Sequence, residues 1–195
     1  MQASLSFLML LQAPAELSRE ELRVKERIQP VGGTVAWVSP DSSESDAPWM
    51  LSVDIENKGK AFDCTKIQSL KRLGALRILG GRTEGWSLSV LAQLPRLELL
   101  VVTGNGLADA ELKRIGRCKV LTKLDIGGNQ ISAKGLAAIS PVRTLFLYNT
   151  KISDADLVPL GTMVFLDQLV LPVSVTPGGM QLLARQLPEK SVSRL

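Results

Sequence analysis

The chain has 195 residues, a net charge of +4, two cysteines and no histidine. That length suits one domain with a real core, and the lack of histidine removes the commonest general base and metal ligand. Aromatic residues make up only 4%, so branched aliphatics must fill the interior. The charge pattern lacks the continuous basic stripe with interleaved aromatics that nucleic-acid binding needs. Lys71, Arg72, Lys113, Arg114, Arg117 and Lys119 instead read as a solvated face. Cys64 and Cys118 stand far apart and outside any C-x-x-C spacing. They read as small core residues rather than a metal site or a disulfide framework.

Ser4 to Leu11 is apolar and runs into Ala13-Pro14-Ala15. It has two readings: the apolar core of a secretory leader, without the preceding Lys or Arg, or a hydrophobic segment capping the repeat domain. It is too short to span a bilayer. The cytoplasm is slightly favoured as the compartment, and a leader at Ser4–Ala15 would mean export. Ser18 with Glu21 three residues on forms a capping-box signal, so a helix is expected from about Arg19 to about Ile28, ending before Pro30. Gly32 and Gly33 turn the chain into a short strand ending at Val38. Ser39 to Pro48 is a polar surface loop. Val31–Val38 and Met50–Ile55 are expected to pair as antiparallel strands at the entrance to the repeats, where an end unit needs a cap. The organisation expected is an N-terminal segment over 1–48 and a repeat domain over 49–195.

From Leu97 the chain repeats itself. Leu97–Asn105, Leu121–Asn129 and Val142–Thr150 each have the pattern L-x-x-L-x-L-x-x-N/T, and Leu107–Leu112, Ile131–Leu136 and Ile152–Leu157 trail them as a second phrase. Leu76 to Leu100 and Leu100 to Leu124 are each 24 residues, Leu124 to Leu145 is 21, and Leu145 to Leu169 is 24. A degenerate unit precedes them at Val53-Asp54-Ile55. The short unit loses its residues between Ile139 and Val142, around Pro141. Within each phrase the first, fourth and sixth places point inward and those between point outward, as the period of a strand requires. The ninth-place asparagine supplies donor and acceptor to the turn leaving the strand. Asn105 and Asn129 fill that place, Thr150 and Ser174 fill it less well, and Gly81 cannot, so a partial ladder is expected. A helical segment comes after each strand, with apolar pairs Leu88/Leu91, Leu112/Ile115, Leu136/Ile139 and Leu157/Leu160. Ser132, Ser153 and Thr176 stand at N-cap positions.

These phrases, from Val53 to Leu187, resemble the leucine-rich repeat family in its strand-plus-helix variety, near the ribonuclease-inhibitor-like superfamily. Ile152-Ser153-Asp154-Ala155-Asp156-Leu157 is the nearest match, and Asn or Thr replaces the turn cysteine of the cysteine-containing subtype. The leading helix, Gly-Gly turn and short strand look similar to the front end of small bacterial members. The resemblance implies an α/β fold: a right-handed, curved solenoid of about five to six repeats, with parallel strands on one face and helices on the other. It also implies recognition of another protein by the exposed sheet, without naming that protein.

The outward strand places are therefore where function is expected. At the fifth place stand Asp54, Arg77, Val101, Asp125, Phe146 and Val170, and at the seventh Glu56, Leu79, Thr103, Gly127, Tyr148 and Pro172. The expected partner-binding set is Arg77, Leu79, Val101, Thr103, Asp125, Phe146, Tyr148 and Val170, with the two aromatics as its core. The competing reading is that Phe146 and Tyr148 merely cover the short unit. No catalytic residue, metal ligand or cofactor is expected, because no acid–base group or phosphate loop assembles. The function expected is a non-catalytic adaptor, inhibitor or recognition subunit. The alternative is an exported structural or surface repeat protein. The oligomeric state is left open.

Overall fold

A unit of about 24 residues cannot bury its apolar strand face alone, so it stacks on its neighbours. The computed structural model describes residues 16–38, 50–56, 58–82, 87–139, 142–187 and 191–194. The Ser4–Ala15 stretch, the Ser39–Pro48 loop and the Pro141 return lie outside the described residues. Eight strands form one sheet in chain order: β1 Gly33–Val38, β2 Met50–Glu56, β3 Leu73–Leu79, β4 Leu99–Thr103, β5 Lys123–Asp125, β6 Thr144–Phe146, β7 Gln168–Leu171 and β8 Ser191–Arg194. β1 pairs antiparallel with β2, and every later pair is parallel.

The register tracks the leucines. Leu76 faces Leu100, Leu100 faces Leu124, Leu124 faces Leu145 and Leu145 faces Leu169. The 21-residue unit thus keeps its strand in register, and the shortening falls on the return path. The inward leucines of these strands are fully buried and join one continuous aliphatic core with Leu88, Leu91, Leu112, Ile115, Leu136 and Leu157.

The first helix, α1 (Arg19–Ile28), has both halves of the capping box between Ser18 and Glu21. Val24 and Ile28 enter the core, and Glu21 is held by two Arg72 nitrogens, at 2.9 and 2.6 Å. The Arg72 guanidinium in turn lies 5.0 Å from the Trp37 ring centre. Cap helix, cap strand and first repeat are thus clamped together by one arginine.

The elements opposite the strands are shorter than uniform helices. α2 (Asp109–Ile115), α3 (Ala133–Leu136), α4 (Val158–Gly161) and α5 (Pro177–Gln186) are α-helical, while Cys64–Ile67, Leu88–Gln93 and Asp154–Asp156 are 3-10 turns. A unit this short leaves room for about one turn between strands, and a 3-10 turn rises further per residue.

The turns leaving β3, β4, β5 and β6 repeat a left-handed residue: Gly80, Gly104 and Gly128 at φ 63°, 63° and 68°, and Asn149 at 53°. Glycine adopts this conformation without a Cβ penalty, and asparagine is among the side chains that tolerate it best.

Candidate functional site

The partial asparagine ladder forms as its chemistry requires. Asn105 accepts from the Gly81 amide at 2.7 Å and donates to the Ile78 and Thr103 carbonyls. Asn129 accepts from the amides of Asn105 and Leu107, each at 3.0 Å, and donates to Val102, Ile126 and Gly127. Thr150 and Ser174 only donate to a carbonyl, those of Leu147 and Ile152. A second ladder, which sequence reasoning misses, joins the helical segments. Asp109 accepts from the amide and hydroxyl of Ser132, and Asp154 does the same from Thr176. Ala133 stands where the next aspartate would be, and there Asp156 accepts from the Ala133 amide and from Ser153 instead. The signal that could have found it is the aspartate two places after the leading Leu107 and Ile152, one repeat ahead of a serine or threonine.

With the turns and helical segments on one side, the other side of the sheet is the candidate surface. Register places Asp54, Arg77, Val101, Asp125, Phe146, Val170 and Ser193 in one row across β2 to β8. Arg77 is exposed and lies 3.8 Å from Asp54, a pair bridging the first two strands of the row. Leu79 is 40% exposed, and Val101, Thr103, Asp125, Phe146 and Tyr148 are half-buried. Val170 departs from the expected set: it is 6% exposed, and Pro172 two places on is also buried, so Val170 forms part of the floor rather than a contact surface.

Tyr148 does not project freely. Its hydroxyl donates to Asp125 Oδ2 at 3.0 Å, while Asp125 Oδ1 accepts from the Gly127 amide at 3.0 Å. A Cβ on Gly127 would lie 2.5 Å from the ring, so the tyrosine rests where glycine leaves room. Gly127 and Tyr148 occupy the same outward place in successive units, which is the legible signal for this contact. Burial, then the Asp125 charge, pushes the Tyr148 phenol up to about 12. Burial also raises Asp125, outweighing the bonds from Gly127 and Tyr148 that act the other way.

The cysteines are poor nucleophiles. Burial pushes Cys64 up to about 12, with Asp63 adding to it, and Cys118 up to about 11, so thiolate is scarce at neutral pH. Among the described residues no three His, Cys, Asp or Glu side chains converge in a metal-binding arrangement, and no helix is long and apolar enough to cross a membrane. A notch of about 180 Å³ beside the shortened unit is lined by Leu136, Ile139, Pro159, Met163 and Phe165. Its rim carries Val164 and Phe165, 66% and 57% exposed.

Parallel strands in register, a ladder of buried asparagines and left-handed turn residues together define an α/β solenoid of stacked short units. The fold is that of the leucine-rich repeat solenoids. The family model described as "Leucine Rich repeat" matches residues 117–140, the unit holding Asp125, Gly127 and Asn129. An internalin, inlF, from Listeria monocytogenes is a similar solved structure, with a TM-score of 0.53 and 25% identity. The match covers 72% of this chain and 38% of that one, so this chain spans well under half the internalin's length. Internalin C2 of the same organism matches over 93% of this chain and 88% of its own, with a TM-score of 0.50 and 15% identity. No curated protein matches the sequence significantly. The leucine-rich repeat fold generally mediates protein–protein interaction, and such proteins are typically non-enzymatic.

Proposed function

We propose that this chain is a non-catalytic recognition module that binds another protein through the outward face of its sheet, centred on Asp125, Phe146 and Tyr148. The observation that carries this reading is the half-buried Phe146 in register between Asp125 and Val170, on a face with no described helix packed over it. An aromatic anchor beside a polar, partly desolvated group is the composition of an interface centre. Leu79, Val101 and Thr103 extend the apolar area, and Arg77 sits at its charged margin. Two buried thiols and the lack of histidine support a role without covalent chemistry.

The test is affinity capture from native cell extract with the wild-type chain, Phe146→Ala, and Phe146→Ala combined with Tyr148→Ala. The single change is expected to weaken capture strongly at an unchanged unfolding midpoint, because Phe146 contacts little of the core. A complex that survives both variants undiminished places the binding surface elsewhere.

A further inference from the structure

We propose that Asp125 seats an arginine side chain of the partner, between Val101 and Phe146. The inference rests on the strand-face reading above and names the chemistry that face recognises. Val101, Asp125 and Phe146 are direct register partners on three adjacent strands, so the carboxylate stands between an aliphatic and an aromatic neighbour. An ionised carboxylate offers about four acceptor sites on its two oxygens. Here each oxygen accepts one bond, from Gly127 and from Tyr148, which leaves acceptor capacity on both. The two protein donors fix the carboxylate's orientation before any ligand arrives.

No cation among the described residues pairs with it. Arg77 approaches Asp54, Arg143 pairs with Asp167, and no neighbouring cation contributes to the Asp125 titration. Asp109, Asp154 and Asp156 accept the same kinds of donor, amides and hydroxyls, but they do so as caps of the helical segments, whereas Asp125 stands on the sheet face. In its outward row Asp125 is the carboxylate between two apolar register neighbours, Val101 and Phe146, with Lys123 two residues before it on the same strand, and burial raises its pKa. Such a group gains most from a cation that is easily desolvated. Arginine fits better than lysine: its planar fork matches both oxygens at once, it is the more weakly hydrated cation, and it stacks on an aromatic face such as that of Phe146. The occupant is therefore a partner segment presenting an arginine among apolar residues.

The probe is a set of short blocked peptides of identical leucine flanks whose central residue is arginine, citrulline or glutamate. Binding to the full chain is monitored by amide NMR at Gly127, Phe146 and Tyr148, for wild type and Asp125→Asn. The substitution keeps the shape and an acceptor for Tyr148 while removing the charge. The arginine peptide is expected to bind wild type about tenfold or more tightly than the citrulline peptide, as a charge-assisted bond implies, and Asp125→Asn should erase that preference. Equal binding of the arginine and citrulline peptides on the strand face overturns the seat but leaves the face reading standing. A preference that persists in Asp125→Asn overturns the seat too. Peptides that leave every strand-face amide unmoved at saturation count against both.

Discussion

Tyr148 reaches back across a whole repeat to donate its hydroxyl to Asp125, at 3.0 Å, and it gets there by lying on the bare backbone of Gly127. Burial and the nearby carboxylate hold the phenol protonated up to about 12, against an ordinary value near 10. A raised folded value means the stabilisation is complete below about 10 and is lost as pH rises toward 12. The sequence has one tyrosine, so phenolate absorbance reports this group alone. Its midpoint is expected near 12 in the folded chain, near 10 in denaturant, and lower in Asp125→Asn than in wild type. A folded-state midpoint at the ordinary value would show that the bond does not persist in solution.

Gly127→Ala tests the same contact sterically. The new methyl would sit 2.5 Å from the ring, so Tyr148 must swing away. A cost of about 1–2 kcal/mol is expected in urea unfolding, together with a fall in the tyrosine midpoint. An alanine variant with unchanged stability and titration would mean the ring does not depend on that gap.

Removing the ladder amides should be costlier. Asn129→Ala orphans the buried amides of Asn105 and Leu107 and three carbonyl contacts. A loss of about 3 kcal/mol is expected. Asn105→Ala orphans one half-buried amide, that of Gly81, and should lose about 2 kcal/mol. The order of the two, measured by denaturant midpoints at equal slope, checks the assignment.

The Glu21–Arg72 clamp predicts a rescue. Arg72→Ala leaves a buried carboxylate without its partner. Because Arg72 itself is 43% exposed, the cost is expected at about 2 kcal/mol, below the range for fully buried pairs. Adding Glu21→Gln should recover much of it. Additive losses in the double variant would show that the two do not act as a pair.

The acid limb of stability should trace to the carboxylates that hold caps. Burial alone would raise Glu21 and Asp156, but the bonds from Arg72 and Ser18, and from Ser153 and Ala133, prevail and lower both. Thr176 lowers Asp154 through its hydroxyl and amide. Lowered folded values mean that this stability is complete above the unfolded values, near 4, and is lost as pH falls through the folded ones. Asp154→Asn with Asp156→Asn should flatten the stability–pH curve below about pH 4, and an unchanged acid limb would assign it elsewhere.

The fold is legible because the leucine spacing carries the register directly: Leu76, Leu100, Leu124, Leu145 and Leu169 are the residues that face each other. The cap is legible for a local reason, since Ser18 and Glu21 lie three residues apart. The site is legible only by row. Alternation places Phe146 and Tyr148 on the outward side, but whether an outward residue is free depends on its neighbours one repeat away. Tyr148 is tied down for that reason, by Asp125 and Gly127 of the unit before it. The Asp109–Ser132 and Asp154–Thr176 bonds escape a reading of the chain because they join side chains of ordinary composition 23 and 22 positions apart. The 3-10 turns escape it because apolar pairs three apart suit either helix.

The two ladders point in opposite directions along the chain. Asn105 and Asn129 reach back to close the turn of the unit before them, whereas Asp109 and Asp154 reach forward to the cap of the unit after them. The Leu97 and Leu121 units are therefore bound both ways, as are the Val142 and Leu166 units, while between the Leu121 and Val142 units Asp156 reaches back to the Ala133 amide. A unit in the middle cannot be cut out without orphaning polar groups on one side of the break. The array behaves as an interlock rather than a stack of independent modules, and unfolding started at either end should run through the asparagine-bearing middle in one cooperative step.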